Sequence, residues 1–258
     1  TTAEPILYNP FEPGYFDDPY TQFARLRELD PVHATLDGNW MLFRYEDCFR
    51  VLRDASLSVD DRNIRQSAKA EQMAALRVED RGERSMLGLD PPYHDRLRRL
   101  VSKAFTPRAI EALRPRVQQL VDEALDRVES SGHIDLIPDL AFPLPFQVIS
   151  EMLGMPQADV LQVRDWSNQM VKSLDPVISD EEIRQSMLAS EAMTAYLGEV
   201  IEWKRANPAD DMLTALIAAE EDGDRLTTGE LMAQVAVLFI TGHETTVNLI
   251  GNGTRALL

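Results

Sequence analysis

The sequence predicts a mainly α-helical protein with a small β-sheet near its N-terminus. After Pro92 the apolar residues recur at helical spacing almost without interruption. β-prone runs are confined to the neighbourhood of Asp37-Gly38-Asn39. One segment near the C-terminus carries apolar residues on every side, which is typical of a helix that crosses the interior of a sizeable domain. We find no repeat and no linker that would divide the 258 residues, so we predict one domain.

The N-terminal region, residues 1–60, is predicted to contain two helices and a hairpin. In "DDPYTQFARLREL" an Asp precedes a proline at the first helical position, and apolar residues follow at intervals of three. "VHATLDGNWMLFR" places two β-prone runs around a turn sequence, and "YEDCFRVLRD" returns to helical spacing. Residues 56–90 are polar and weakly periodic, which predicts a long loop with room for a short helix.

The rest of the chain is predicted to be helical, with breaks at Pro, Gly and Asp. The predicted segments are 93–105, 107–130, 143–153, 157–174, 180–206, 210–221 and 228–258. Thr227 and Glu230 form a capping-box pattern at the start of the last one. That helix reaches Leu258 without a glycine cap or a polar tail, so we expect more protein after this residue.

Composition excludes several classes of protein. Lys and Arg number 26 against 43 Asp and Glu, giving a net charge of −17, which repels nucleic acid and anionic membranes. The single cysteine, Cys48, excludes an internal disulfide and a multi-cysteine metal site. The stretch "TTAEPILYNPFEPG" shows neither the basic flank nor the apolar run of a signal peptide, and no apolar run reaches about 18 residues. We therefore predict a cytoplasmic protein that binds neither nucleic acid nor membrane.

Several familiar catalytic motifs are absent. His243-Glu244 resembles the start of a zinc-protease motif, but position 247, where the second histidine is required, is Val. No Glu-x-x-His pair suited to a di-iron bundle occurs, nor does a GxSxG elbow, a P-loop or a GxGxxG fingerprint.

The first feature with chemical potential is "DPPYHDRLRRLVSKAFTPR". His94 and Arg98 stand four residues apart and share a helix face, where they can bind carboxylates. Arg96, Arg99, Lys103 and Arg108 make this the densest positive patch in an acidic chain. An anionic ligand or an acidic partner would explain the patch, and a solvated basic face on a surface helix is the alternative.

The second feature is "LFITGHETTVNLIG", residues 238–251. Helical geometry predicts that Thr241, Gly242, Thr245 and Leu249 share one face, while His243 and Glu244 turn away. Gly242 would let a flat ligand approach the backbone, and Thr245 would offer a hydroxyl and open the helix locally. Glu244 can relay protons. The alternative is a polar kink satisfied by neighbouring helices.

Both features carry a family resemblance. "TGHETT" resembles the oxygen-activating motif in the central helix of the cytochrome P-450 haem-thiolate monooxygenases. "DPPYHDRLRRLVSKAF" is similar to the haem-propionate-binding helix of their soluble bacterial members. The resemblance follows the chain in order and implies the N-terminal and central part of the cytochrome P-450 fold. Residues 1–60 would be the helix and hairpin region, 61–90 a substrate-side loop, and 91–258 the helical part of a single incomplete domain.

The resemblance also implies a role for individual residues. His94 and Arg98 would hold the propionates of haem (heme b, iron protoporphyrin IX), with Thr241 and Gly242 also against the haem. Thr245 would hydrogen-bond to the iron-bound oxygen, and Glu244 would help to deliver protons. The axial cysteine is expected beyond Leu258, since Cys48 lies in a helix without glycines and suits a buried structural role. Residues 1–258 alone are therefore predicted to contain no iron ligand and to be inactive.

The implied reaction inserts oxygen from O2 into a small hydrophobic substrate, with electrons from a ferredoxin and its ferredoxin reductase. Arg99 and Lys103 would face the ferredoxin, and Met86, Leu87, Val237, Leu238 and Thr241 would line the substrate pocket. Thr241 stands where the family commonly has Ala or Gly, so it would narrow the pocket or contact substrate. Two alternatives stay open: a peroxide-driven haem oxygenase of the same fold, and a non-catalytic helical binding protein.

Overall fold

The computed structural model describes residues 6–15, 17–35, 38–63, 71, 84–156, 160–174, 178–221 and 223–258. The chain forms two compact units, residues 1–79 and 80–258. The prediction of a single incomplete domain stays a prediction, and each unit is described by itself below.

The first unit contains the predicted helix, hairpin and helix. Helix α1 (Tyr20–Leu29) begins after Asp18, whose carboxylate accepts hydrogen bonds from the amides of Tyr20 and Thr21 at 3.0 and 3.4 Å. Strands β1 (Val32–Ala34) and β2 (Trp40–Leu42) pair antiparallel, and helix α2 (Tyr45–Val51) follows. A short 3₁₀ turn spans Asp61–Asn63. Residues 64–70 and 72–83 lie outside the described residues, so the predicted helix within the 56–90 loop is untested.

The second unit is helical, as predicted, with one small hairpin. A 3₁₀ turn at Met86–Gly88 precedes the helices, and a π-helical turn at Ile137–Ala141 precedes α6. The helices are α3 (Tyr93–Ser102), α4 (Pro107–Ala112), α5 (Arg114–Glu129), α6 (Pro143–Leu153), α7 (Val160–Val171), α8 (Asp180–Ala206), α9 (Met212–Ala218) and α10 (Thr228–Leu257). A 3₁₀ turn at Lys172–Leu174 follows α7.

Two helix predictions are corrected. The segment 107–130 is two helices that meet at Leu113, because Pro115 has no amide hydrogen to continue the helical ladder. The segment predicted as helix over 210–221 ends as helix at Ala218. Strand β3 (Glu220–Glu221) then pairs with β4 (Asp224–Arg225) across a turn in which Gly223 has φ +82°.

Helix α10 lies at the centre of the second unit and packs against α6 and α8. The predicted capping box is present: the Glu230 amide donates to Thr227 Oγ1 at 3.1 Å, and the Thr227 amide donates to Glu230 Oε2 at 2.8 Å. The core that α10 shares with these helices includes Phe146, Ile149, Leu153, Leu197, Ile201, Leu231, Val235 and Phe239. None of the helices within the described ranges combines the length and the hydropathy that a membrane crossing requires.

Candidate active site

Halfway along α10 the helix has one buried face and one open face. His243 is fully buried and Val247 is 7% exposed, whereas Thr245 is exposed and Leu249 is 72% exposed. Thr241, one turn before Thr245, is half-buried. The polar motif therefore lies at the edge of the open face, where a ligand could contact the helix directly.

The threonine hydroxyls are satisfied within the helix. Thr241 Oγ1 donates to the Val237 carbonyl at 2.7 Å, and Thr245 Oγ1 donates to the Thr241 carbonyl at 2.6 Å. The helix continues unbroken from Thr228 to Leu257, so the predicted opening of the helix at Thr245 is wrong. Because its hydroxyl hydrogen is bound to the backbone, Thr241 offers a ligand its methyl group and a hydroxyl oxygen that can still accept a hydrogen bond.

Gly242 lies at a close contact between α10 and α6. A Cβ placed on it would lie 3.1 Å from Ile149 Cδ1 and 3.2 Å from Ile149 Cγ1, so this side of α10 is packed against α6. This contact fills the direction in which a Cβ would lie, and Gly242 itself is half-buried, so the prediction that its backbone leaves space for a ligand stays a prediction. The glycine is required for the close approach of the two helices, and the open face is the side of Thr241, Thr245 and Leu249.

Glu244 lies between the buried and the open face, with 28% of its side chain exposed. Its Oε1 accepts a hydrogen bond from Asn248 Nδ2 at 3.3 Å, and its Oε2 lies 3.8 Å from Nε2 of His243. Asn248 is exposed, so this carboxylate reaches towards solvent on one side and towards the core on the other.

Helix α3 carries His94 and Arg98 one turn apart. His94 is half-buried, and its Nδ1 lies 3.0 Å from Asp95 Oδ1. The guanidinium of Arg98 is exposed and forms no ion pair with any residue in the described part of the chain. Arg98 lines an open cavity of about 540 Å³ together with Asp95, Arg99, Ser102 and Lys103.

Arg96 does not line this cavity. Its Nε donates to Asp224 Oδ2 at 2.6 Å, and its guanidinium also binds Glu230 and the Arg225 carbonyl. These hydrogen bonds raise the pKa of Arg96 and hold the pKa of Asp224 below its ordinary value. The sequence analysis counted Arg96 in the densest positive patch, but in the structure two acids compensate its charge, and this arginine attaches α3 to the N-terminal end of α10.

A buried glutamine was missed by the sequence analysis. Gln234 is fully buried in α10, and its Oε1 accepts a hydrogen bond from the Met86 amide at 3.0 Å. Its Nε2 donates to the carbonyls of Arg84 and Glu230 at 3.4 and 3.3 Å. The signal was a polar residue among Leu231, Val235 and Phe239, which form the buried side of the helix. Gln234 holds the 84–86 backbone, and so the predicted pocket residues Met86 and Leu87, against α10.

Met86 and Leu87 occupy different environments within this turn. Met86 is half-buried and packs on the core, while Leu87 is 57% exposed. Val237 and Leu238 on α10 are both half-buried. The structure thus brings one predicted pocket residue of the loop, Met86, to the same helix as Val237 and Leu238.

The two predicted halves of the site are linked indirectly. Within the described residues, no hydrogen bond or ion pair joins His94 or Arg98 to residues 241–246; the polar connection between α3 and α10 is Arg96 with Glu230. Cys48, in the first unit, is half-buried and its thiol donates to the Leu42 carbonyl at 3.4 Å. No group of three or more potential metal ligands occurs among the residues that the structure describes.

The second unit has a long central helix, α10, with Glu244 and Thr245 at its open face. The cationic helix α3 is attached to the N-terminal end of α10. This arrangement is that of a known class of protein. The chain belongs to the cytochrome P450 family, whose model matches residues 59–253. This confirms the family resemblance and the mainly α fold with a small antiparallel sheet.

Individual relatives are similar over nearly the whole chain. Cytochrome P450 107B1 of Saccharopolyspora erythraea is 41% identical, with 100% of this chain and 64% of the relative covered. Cytochrome P450 monooxygenase PikC of Streptomyces venezuelae is also 41% identical, with 100% and 61% covered. The crystal structure of P450BioI in complex with a hexadec-9Z-enoic acid-ligated acyl carrier protein superposes with a TM-score of 0.81 at 30% identity, covering 96% of this chain and 63% of that one. The chain thus spans about three-fifths of the length of these relatives.

The family implies haem, and the residues of α3 and α10 fit it in two respects. Arg98 is a cation without an acidic partner in the described chain, one turn from a half-buried histidine, and this pair suits the two carboxylates of a porphyrin. The open face of α10 presents apolar Leu249 beside the threonines, which suits a flat apolar group. Cys48 does not fit as an iron ligand, because its thiol bonds to a backbone carbonyl in the first unit. The axial cysteine stays a prediction.

Proposed function

We propose that this chain forms the oxygen-activating part of a haem-dependent monooxygenase that oxidises a small hydrophobic molecule with O2. The observation that carries the proposal is the acid and alcohol pair at the open face of α10. Glu244 is half-buried there with a route to solvent through Asn248, and Thr245 is exposed one residue away.

The haem (heme b) would supply O2 activation, with one oxygen atom entering the substrate and the other leaving as water after two electrons are delivered singly. His94 and Arg98 would hold its two carboxylates by charge-assisted hydrogen bonds. The Thr245 hydroxyl, which donates to the Thr241 carbonyl at 2.6 Å, would rotate to donate to a ligand at the open face. Glu244 would hold the proton at its carboxyl oxygens and transfer it towards Thr245.

The substrate side would be formed by Met86, Leu87, Val237, Leu238 and Thr241. Met86, Val237 and Leu238 are half-buried apolar side chains, which exclude water and favour an apolar substrate. Thr241 would reduce the space near the reacting atoms, because its methyl group remains while its hydroxyl is bound to Val237. The fatty acyl group in the P450BioI complex is consistent with this class of substrate.

Electrons would come from a ferredoxin and its ferredoxin reductase in the cytoplasm. Arg99 and Lys103 line the open cavity of α3, and an acidic ferredoxin would meet there a positive surface on a chain whose net charge is −17.

A visible absorption spectrum of the protein purified from its complete reading frame tests the proposal. A haem-thiolate Soret band that shifts to the red when the reduced protein binds carbon monoxide is expected. A folded protein that takes up no haem would contradict the proposal and favour a non-catalytic binding protein.

Turnover separates O2 use from the peroxide-driven alternative. A peroxide-driven enzyme would not need the acid and alcohol pair, so Glu244 and Thr245 favour O2 with NADH-derived electrons. Product formation with peroxide, and none with O2 and reductant, would overturn that choice.

A further inference from the structure

His243 has a buried nitrogen that no described group satisfies. The imidazole is fully buried, and its Nδ1 lies 3.0 Å from the Phe239 carbonyl oxygen. A carbonyl can only accept, so Nδ1 carries the hydrogen and Nε2 is left as an acceptor. Nε2 has no hydrogen-bond partner within the described ranges, although buried polar atoms are nearly always paired.

The polar atom that faces Nε2 belongs to Glu244. Its Oε2 is 3.8 Å away, slightly beyond hydrogen-bonding distance, and its Oε1 accepts from Asn248 Nδ2 at 3.3 Å. Asn248 lines an open groove of about 410 Å³ beside the C-terminal half of α10. The carboxyl of Glu244 therefore lies between a buried acceptor and a solvent-accessible groove.

One proton between the two groups resolves the unpaired acceptor. If Oε2 were ionised and Nε2 neutral, both atoms would be acceptors, and their lone pairs would face each other without a hydrogen bond. A protonated carboxyl can instead donate to Nε2 after a small movement. The other location, an imidazolium, would place a positive charge on a fully buried ring among Phe142, Phe146 and Phe239, whose centroids lie 5.6–6.0 Å from the imidazole, and burying a charge is costly.

The charged groups around this ring do not oppose that location. Helix α6 contributes the apolar ring of Phe146 to the aromatic contacts, and Phe142 precedes this helix. From α7, the guanidinium of Arg164 stacks 5.2 Å from the centre of the Phe142 ring, with Asp165 3.5 Å from its Nε. From α10 itself the facing group is Glu244. Because Asp165 compensates the charge of Arg164, α7 brings no net charge to the ring, and the full burial of the imidazole is what favours the proton on the carboxyl.

We propose that His243 is a positioning residue for the acid of the reaction: Nε2 accepts a hydrogen bond from the protonated carboxyl of Glu244 and so keeps a proton beside Thr245. When that proton leaves Oε2 towards Thr245, Glu244 remains as a carboxylate, and water from the groove at Asn248 returns a proton to it. The consequence for turnover rests on the proposed function, but the hydrogen bond itself does not.

Infrared difference spectroscopy of the holoprotein at pH 7 tests the hydrogen bond without turnover. The wild type should show the C=O band of a protonated carboxyl, and Glu244→Gln should remove it. His243→Phe, which fits the aromatic surroundings but cannot accept, should lose the band. His243→Gln, which retains an acceptor near the position of Nε2, should keep it. A wild type without the band, or a His243→Phe protein with an unchanged band, would overturn the proposal.

A second measurement reads the same bond from the histidine side and does not depend on His243 variants folding. The chain has 4 histidines, so ¹⁵N-histidine labelling gives few imidazole signals. The Nε2 resonance of His243 should move towards that of an unbonded acceptor in Glu244→Ala. It should stay unchanged in Thr246→Ala, whose hydroxyl donates to the Gly242 carbonyl instead. An Nε2 signal indifferent to Glu244→Ala contradicts the proposal.

Product yield distinguishes the proposed role of His243 from the proposed monooxygenase function. In His243→Phe the carboxyl of Glu244 should no longer be kept protonated, so product per NADH should fall by about tenfold. This loss is smaller than the roughly 10²-fold or greater loss expected when a proton donor itself is removed. Lowered yield with an unchanged carboxyl band would contradict the role of His243 and leave the monooxygenase proposal intact. The predicted bands in a protein that binds no haem would contradict the monooxygenase proposal alone.

Discussion

The polar residues of 241–246 are tolerated within a buried helix because most of them are satisfied locally. Thr241, Thr245 and Thr246 each donate to the carbonyl four residues earlier, and Glu244 accepts from Asn248. A buried polar group without a partner costs about 1–3 kcal/mol, so these hydrogen bonds remove most of the penalty. What is left unsatisfied is one nitrogen of His243, and that atom faces the group expected to carry protons.

Thr245 is expected to couple oxygen activation to product formation. In Thr245→Ala the protein should still consume NADH, while product per NADH falls by about tenfold and hydrogen peroxide rises, because a positioned hydroxyl for proton delivery is lost. Thr246→Ala is the matched control, since it removes a neighbouring hydroxyl that points to the Gly242 carbonyl. Equal coupling in both variants would remove Thr245 from the mechanism.

Gly242 is expected to matter for stability through Ile149. Gly242→Ala should destabilise the protein by roughly 1 kcal/mol, because overpacking of about 1–3 kcal/mol exceeds the helix-propensity gain of about 1 kcal/mol. In an Ile149→Ala background the two closest atoms are gone, so the same substitution should stabilise. Urea unfolding of the four proteins measures the coupling, and additive effects would argue against this contact.

At the scale of secondary-structure elements, the position of the predicted pocket depends on anchors distant in sequence. Gln234 bonds to Met86 across 148 positions, and Arg96 bonds to Glu230 across 134. The first fixes the 84–88 turn on α10 and the second fixes α3 to the start of the same helix. Helix α10 thereby sets the location of both elements that carry predicted site residues.

Gln234→Leu should release the 84–86 backbone. The Met86 amide would lose its acceptor, which should cost about 1–2 kcal/mol and speed the hydrogen exchange of that amide. Gln119→Leu on the exposed side of α5 is the control, since the amide of Gln119 donates to a neighbouring acid, Glu123, on the same helix. Unchanged exchange at Met86 in Gln234→Leu would show that the turn is held by other contacts.

The ion pair between α5 and α6 predicts a stability loss in acid. The hydrogen bonds from Arg116 hold the pKa of Glu151 below its ordinary value of 4.5, with a further contribution from Gln147. The stabilisation is therefore present above pH 4.5 and is lost as the pH falls through the lower folded-state value.

Glu151→Gln isolates this ion pair from the rest of the acid titration. The variant should be less stable than the wild type at pH 7, and the difference should shrink as the pH is lowered below 4.5. Chemical unfolding at several pH values measures it. A difference that is constant with pH would show that the loss comes from packing rather than from charge.

At the scale of the whole molecule, the charge distribution is uneven. A net charge of −17 favours repulsion from an acidic partner, yet Arg98, Arg99 and Lys103 line one open cavity on α3. Arg96 is neutralised by Asp224 and Glu230, whereas Arg98, Arg99 and Lys103 lie on the cavity side of this helix, where a partner or carboxylates could contact them.

Charge reversal at Arg99 or Lys103 should slow electron delivery from an acidic ferredoxin. We expect about tenfold slower reduction at low salt and a smaller difference at high salt, because screening weakens electrostatic attraction. Arg127→Glu on α5 changes the net charge equally and is the control. Stopped-flow reduction with varied salt measures the effect; equal rates in all variants would count against this docking surface.

Local sequence predicted much of the fold. Helix α8 spans the predicted 180–206, the hairpin lies at the predicted turn, and the capping box starts α10. These features depend on residues within a few positions of one another. The prediction over 210–221 failed because a pair of two-residue strands is too short to produce a periodic signal. The break at Leu113 was missed because apolar residues continue at helical spacing on both sides of Pro115.

By itself, the sequence determined the order of the helices, the family and the set of polar residues in the central helix, because each is encoded in contiguous residues. The tertiary structure alone decided which side of α10 is open, that Gly242 packs on Ile149, that Arg96 is neutralised, and that His243 faces Glu244 from a closed aromatic pocket. These outcomes depend on which neighbouring helices cover each face of α10. Helical periodicity places residues on a face, but it does not specify what packs against that face.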